Sequence, residues 1–179
     1  MDENTNKKYE LMYDDTINLR DLVLYRIKAC IDIPRYNVKA GDIGGFIQSE
    51  DNLSHYNDCW IADNAIVDGG AKIYGNAIVS GHASICGNAK IYGNASVSGY
   101  SSICGNARVY GSAKVDNNAT ISGSAEVYDK ATLSGNALIK GYAKVFGNAW
   151  VFGHISDYAK VHCSTKVYDR VCGYTELSD

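Results

Sequence analysis

No stretch of this chain approaches the roughly 18 consecutive apolar residues that cross a bilayer as a helix, so no membrane span of that kind is expected. The first residues, MDENTNKK, are polar and acidic and do not resemble a secretory signal. Six cysteines (Cys30, Cys59, Cys86, Cys104, Cys163 and Cys172) form no CxxC pair, which argues against a zinc site or a thioredoxin-type redox motif. Without an export signal they read as reduced thiols of a cytoplasmic protein. The four histidines, His55, His82, His154 and His162, contain no HxxxxH pair, so no metal and no cofactor is expected. Nor does either sign of charge dominate: the net charge is -3. Residues 1–60 carry 7 basic and 11 acidic side chains, and residues 61–155 carry 7 and 5, so the middle is mildly basic beside an acidic N-terminal segment.

What the chain does contain is a repeat. AKIYGNA occurs at 71–77 and again at 89–95, starting 18 residues apart. Aliphatic residues fall every six positions from Ile61 to Val151, 16 times without a gap, and 14 of the residues two places earlier are Ala, the exceptions being Cys59 and Ser101. Gly or Asn usually follows two places later, as in YGNA and CGNA, and such residues tolerate the positive φ of a tight corner. A six-residue step fits no amphipathic helix, whose stripe recurs at three and four. It fits a short strand and a turn, with three such sides closing an 18-residue triangular coil that stacks on the next at about 4.8 Å. Each buried aliphatic then contributes roughly 1.5–3 kcal/mol, against which chain ordering is set.

On these hexads the chain resembles the hexapeptide-repeat family of left-handed β-helices, the family of bacterial acyltransferases. The resemblance covers about residues 59–170 and implies the left hand. The fold class expected is all-β: a single-stranded left-handed parallel β-helix of about six coils with an N-terminal β-hairpin cap. The expected division is a β cap and lead-in over 1–58, the β-helix over 59–170, and a tail or cap over 171–179. After Val151 the next aliphatic, Ile155, comes after four residues, which a shortened corner at FGHI explains. KYELMYDD and LVLYRIKACIDI read as the two arms of the hairpin, joined by TINLRD. LYRIKA, VKAGDIGGFI, NLS and CWIADNA resemble the lead-in of a hexapeptide-repeat subgroup common in bacteria and their phages, for which the resemblance implies no reaction.

Function has to come from the outward positions on either side of each aliphatic. Sorted by 18, one face reads Lys72 with Tyr74, Lys90 with Tyr92, Arg108 with Tyr110, Glu126 with Tyr128, and Lys144 with Phe146. The second runs from Ile78 with Ser80 to Trp150 with Phe152, and the third from Ile66 with Asp68 to Leu138 with Lys140. The Lys/Tyr face has two readings. Rings one coil apart can stack and stiffen the solenoid without binding anything. Alternatively Lys72, Tyr74, Lys90, Tyr92, Arg108, Tyr110, Tyr128 and Phe146 form a platform for a partner, protein in preference to nucleic acid because the whole chain is acidic. The same face would suit a homodimer or homotrimer.

The expected function is therefore a non-catalytic binding or scaffold protein. A phage inhibitor of a host defence system is one alternative, acting by masking a defence protein such as a CRISPR effector or by sequestering a nucleotide signal. Another is a hexapeptide-repeat acyltransferase, for which His154 at the short corner and His162 are the nearest bases and His82 reads as a corner substitute. The repeats contain no inserted loop to shape such a site. Only Asp68, Asp116, Glu126 and Asp129 interrupt the body after Asp63, too few for a DNA mimic, and only Thr120 and Thr132 support ice binding. Cys86 and Cys104 fall on adjacent coils and read as thiols, and Trp60 and Trp150 count as outward, each either an anchor for a partner or covered by a cap or subunit.

Overall fold

The computed structural model describes residues 7–19 and 21–179. From Trp60 onward the chain runs through two-residue strands, each pairing one aliphatic with the outward residue before it, from Trp60–Ile61 to Glu176–Leu177. They stack in parallel as three sheets. One begins at Trp60–Ile61 and ends at Lys166–Val167, and another begins at Lys72–Ile73 and ends at Glu176–Leu177, each seven strands deep. The third runs from Ile66–Val67 to Arg170–Val171 below the N-terminal strands. Pairing is in register, Val97 on Val115 and Ile103 on Ile121, and ladder bonds such as Lys90 N–H to the Ala107 carbonyl are 2.9 Å long. The aliphatics and the alanines fill the interior at essentially zero exposure. The molecule is a single-stranded parallel β-solenoid.

There are seven coils where the sequence suggested about six. The coil spacing contracts to 16 residues at the C-terminal end, Leu138 pairing with His154 and His154 with Arg170, and this keeps the ladders running into the 171–179 stretch. The corner at Val151–Ile155 is short, as expected, and a second short corner at Val167–Val171 lies beneath it. Between the two, Gly153 is buried. A Cβ there would overlap the Asp169 carbonyl oxygen and stand 2.6 Å from that of Tyr168, so the two corners nest only because the upper one has no side chain.

At the other end, strands β1 (Tyr9–Leu19) and β2 (Leu22–Ala29) form an antiparallel hairpin. Here TINL is not a connector: it continues β1, with Ile17 and Leu19 turned inward and Thr16 and Asn18 outward, and a bulge between Met12 and Thr16 re-aims the strand. Asp21, at φ 65°, lies in the turn. Strand β3 (Ile43–Ile47) pairs with β2 on one edge and, in parallel, with Ile66–Val67 on the other. The hairpin thus extends one sheet of the solenoid. Ile27, Ile33 and Leu53 close the open end of the core. Close approach is secured by Gly44 and Gly45, where a Cβ would meet the Ile61 and Ala65 carbonyl oxygens at 2.5 Å. Trp60 lies under this layer, 1% exposed, so of its two readings the covered one holds; Trp150 is 47% exposed.

Candidate functional site

The in-register pairing Lys72–Lys90–Arg108–Glu126–Lys144–Lys160–Glu176 lines up one charged side chain per coil. Beside it the outward rings stack. Tyr74, Tyr92, Tyr110, Tyr128 and Phe146 follow one another at centroid distances of 4.8–5.0 Å with planes within 4° of parallel, and His162 continues the pile below Phe146 at 4.7 Å. The sequence-derived residues are therefore brought together as one continuous feature. Its geometry changes what they can do. Inside the pile each ring face is covered by the next ring, so the ladder presents edges and hydroxyls; a base or nucleotide finds no free face there to stack on.

Burial between neighbours raises the pKa of Tyr74, Tyr92, Tyr110 and Tyr128. Tyr110 is raised further by Glu126, whose carboxylate accepts a hydrogen bond from its hydroxyl at 3.2 Å. Glu126 also lies 3.7 Å from both Arg108 and Lys144, and Glu176 lies 3.5 Å from Lys160 and 3.1 Å from His162. Lys72 and Lys90 are exposed and make no ion pair among the described residues.

These charges form one wall of a groove parallel to the solenoid axis. Its other wall is a row of corner residues that counting strand positions alone leaves out: Gly70, Asn88, Asn106, Ser124, Tyr142, Tyr158 and Tyr174. They recur at the same coil spacing, so sorting the corners as well as the strands by 18 finds most of them. At the N-terminal end the groove encloses about 380 Å³ between Lys72, Lys90, Arg108 and the stacked amides of Asn88 and Asn106, 3.4 Å apart. It narrows to about 220 Å³ at Glu126 and widens to about 410 Å³ where Tyr142, Tyr158 and Tyr174 stack beside Lys144 and Lys160. The upper part is cationic and polar; the lower part is aromatic, with Tyr142 and Tyr174 58% and 85% exposed.

The other three histidines are placed elsewhere. His55 stacks on Tyr9 at 4.3 Å and accepts the Lys8 backbone N–H, His82 stacks on Tyr100 at 4.9 Å, and His154 is exposed on its strand. No cluster of three His, Cys, Asp or Glu side chains suited to a metal occurs among the described residues. No helix of the described residues is long and apolar enough to cross a membrane.

The family model described as YdcK Beta solenoid repeat matches residues 71–87 and 103–115. Both stretches lie on the upper coils and carry Lys72, Tyr74, Arg108 and Tyr110 of the ladder. The chain is similar to that repeat over these coils, and its hexads are β-solenoid repeats. No curated protein matches the chain.

Proposed function

We propose that this is a non-catalytic binding protein that uses the Lys/Tyr face of its solenoid to hold a protein partner or a second copy of itself as a dimer or trimer. The observation that carries the reading is the pair Lys72 and Lys90: two adjacent, exposed cations with no acidic partner among the described residues, on the wall of a groove that continues past them. Lower on the same column Glu126 and Glu176 neutralise their cationic neighbours. A face evolved only for stiffness has no use for leaving its upper charges uncompensated at this spacing, since like charges on neighbouring strands repel. The hexapeptide-repeat, left-handed identity and the bacterial or phage subgroup belong to the same proposal; the resemblance of the hexads and the lead-in to that family supports them.

Reversal of the two cations, Lys72→Glu with Lys90→Glu, tests the reading, with Lys114→Glu on the neighbouring face as control. All three sites are exposed strand positions, so the thermal midpoint stays close to that of the parent. Self-association in sedimentation velocity, or the set of proteins crosslinked to the chain in cells of its source, is expected to be lost in the double variant and kept in the control. Association unchanged by the double reversal would remove this face as the binding surface.

A further inference from the structure

Resting on that reading, we infer that the upper groove receives an acidic α-helix of a partner protein, with one carboxylate per helical turn facing Lys72, Lys90 and Arg108. The argument is one of spacing. These three cations stand on successive paired strands, so their Cα atoms recur at about 4.8 Å and the outer two are about 9.6 Å apart. Carboxylates on one face of an extended peptide recur at about 6.7 Å, twice the strand rise, and reach about 13.4 Å over the same two steps. Carboxylates at i, i+4 and i+7 of a helix span seven residues at a rise of about 1.5 Å each, about 10.5 Å in all. The phosphates of one duplex strand wind around the helix axis as they advance, so three in succession do not lie along one straight row facing the cations. The helix comes within about 0.9 Å of the cation row, a difference that Lys side chains absorb. The strand misses by about 3.8 Å.

Two further features favour an occupant that contributes side chains only. The backbone donors and acceptors of the flank are already used between coils, as in Lys90 N–H to Ala107 and Arg108 N–H to Ala125, so this face cannot add a strand. The covered ring faces of the ladder withhold the stacking that single-stranded nucleic acid needs. The groove also sets the partner's sequence beyond its acidic turns. The next turn meets Glu126 and is expected to be neutral or basic, and the turns after it meet Tyr142 and Tyr158, which suit apolar side chains.

The test uses the full chain and fluorescent peptides of about 20 residues, long enough to be helical in an alanine-rich host. One peptide carries Glu at i, i+4 and i+7; an isomer of the same composition distributes the three around the helix. A single-stranded oligonucleotide and polygalacturonate of matched charge serve as the other probes. In fluorescence anisotropy the striped peptide is expected to bind at least about tenfold more tightly than its isomer, as two or three exposed ion pairs would provide. The Lys72→Glu, Lys90→Glu variant should lose that margin. Equal binding of the two peptides, or tighter binding of the oligonucleotide or polygalacturonate than of the striped peptide, overturns the inference. If no probe binds while the double reversal still abolishes association of the chain with its copies or crosslinked partners, the helix inference fails and the face itself stands.

Discussion

Lys8 shows how far a single residue can stand from its reputation. It lies in a polar N-terminal run yet is 1% exposed, its ammonium donating to the Asn57 carbonyl at 3.3 Å, the Cys59 carbonyl at 2.7 Å and the Cys59 sulfur at 3.0 Å. Burial lowers its pKa and raises that of the Cys59 thiol. Nothing in MDENTNKK marks this residue for the interior, because the acceptors it meets come from a loop some fifty residues later. The ring ladder, by contrast, was legible from spacing alone, and it gives the chain a pH response. Tyr74, Tyr92, Tyr110 and Tyr128 all have folded pKa values above the ordinary 10.0, chiefly through burial. Below pH 10 each is protonated in both states and its stabilising contribution is complete. Above it the unfolded chain releases protons first, so stability falls as pH rises. Lys8 acts in the opposite sense below 10.5, Cys59 in the same sense above 9.0. The expected outcome is a thermal midpoint that declines above about pH 10, with a smaller decline in Tyr110→Phe, which removes the phenol hydrogen-bonded to Glu126. A pH series of melting curves, read beside tyrosinate absorbance, checks both; a flat alkaline limb would show that the ladder hydroxyls titrate as freely as in the unfolded chain.

At the scale of the element, the hexad is legible because strand and corner each repeat their own chemistry: an aliphatic that must be inside, and a Gly or Asn that must turn left. The first short corner announces itself through the four-residue step from Val151 to Ile155. The second, at Val167–Val171, makes the same four-residue step without a glycine and ends in the stretch expected to be a tail, and its carbonyls are what the upper corner has to accommodate. Trp60 is left with two readings, and the TINL segment is missed, for a related reason: periodicity assigns a side to each residue but cannot tell which sides a cap will cover or how far its strands run. Two glycines separate conformational strain from collision. Gly135 has φ +64°, and a Cβ there meets only the Phe152 ring at 3.8 Å, so Gly135→Ala is expected to cost the left-handed term alone, about 1–2 kcal/mol. Gly153→Ala drives a methyl group into the Asp169 and Tyr168 carbonyls and should cost about 3 kcal/mol or more. Because each coil contacts only its neighbours, that damage should concentrate in the last two coils, read as early loss of amide protection after residue 153 with the upper coils still protected. Equal melting of the two variants would mean that the lower corner shifts to admit the methyl group.

On the whole-molecule scale, the candidate face was half legible. The cations and rings follow from the 18-residue period. The groove does not, because its second wall stands at the corners and its electrostatic character depends on which charges find partners across coils, a question of side-chain reach that spacing leaves open. Lys72 and Lys90 keep their charge toward solvent, whereas Glu126 divides the column into a cationic upper part and a compensated lower part. That division makes Glu126 the control point for the field along the groove. Glu126→Gln preserves the shape and can still accept the Tyr110 hydrogen bond while freeing Arg108 and Lys144, so five successive coils from Lys72 to Lys144 would carry no acidic group on this column. Affinity for the striped acidic peptide is then expected to rise by about two- to fivefold, the value of one or two exposed pairs released to a ligand. The salt dependence should steepen with it, since exposed charges separated by more than about 10 Å at 0.1 M salt are largely screened. A gain that is the same at low and high salt would locate the effect in side-chain packing and take electrostatics out of the recognition; no gain would place the ligand wholly above Glu126, on Lys72, Lys90 and the two asparagines.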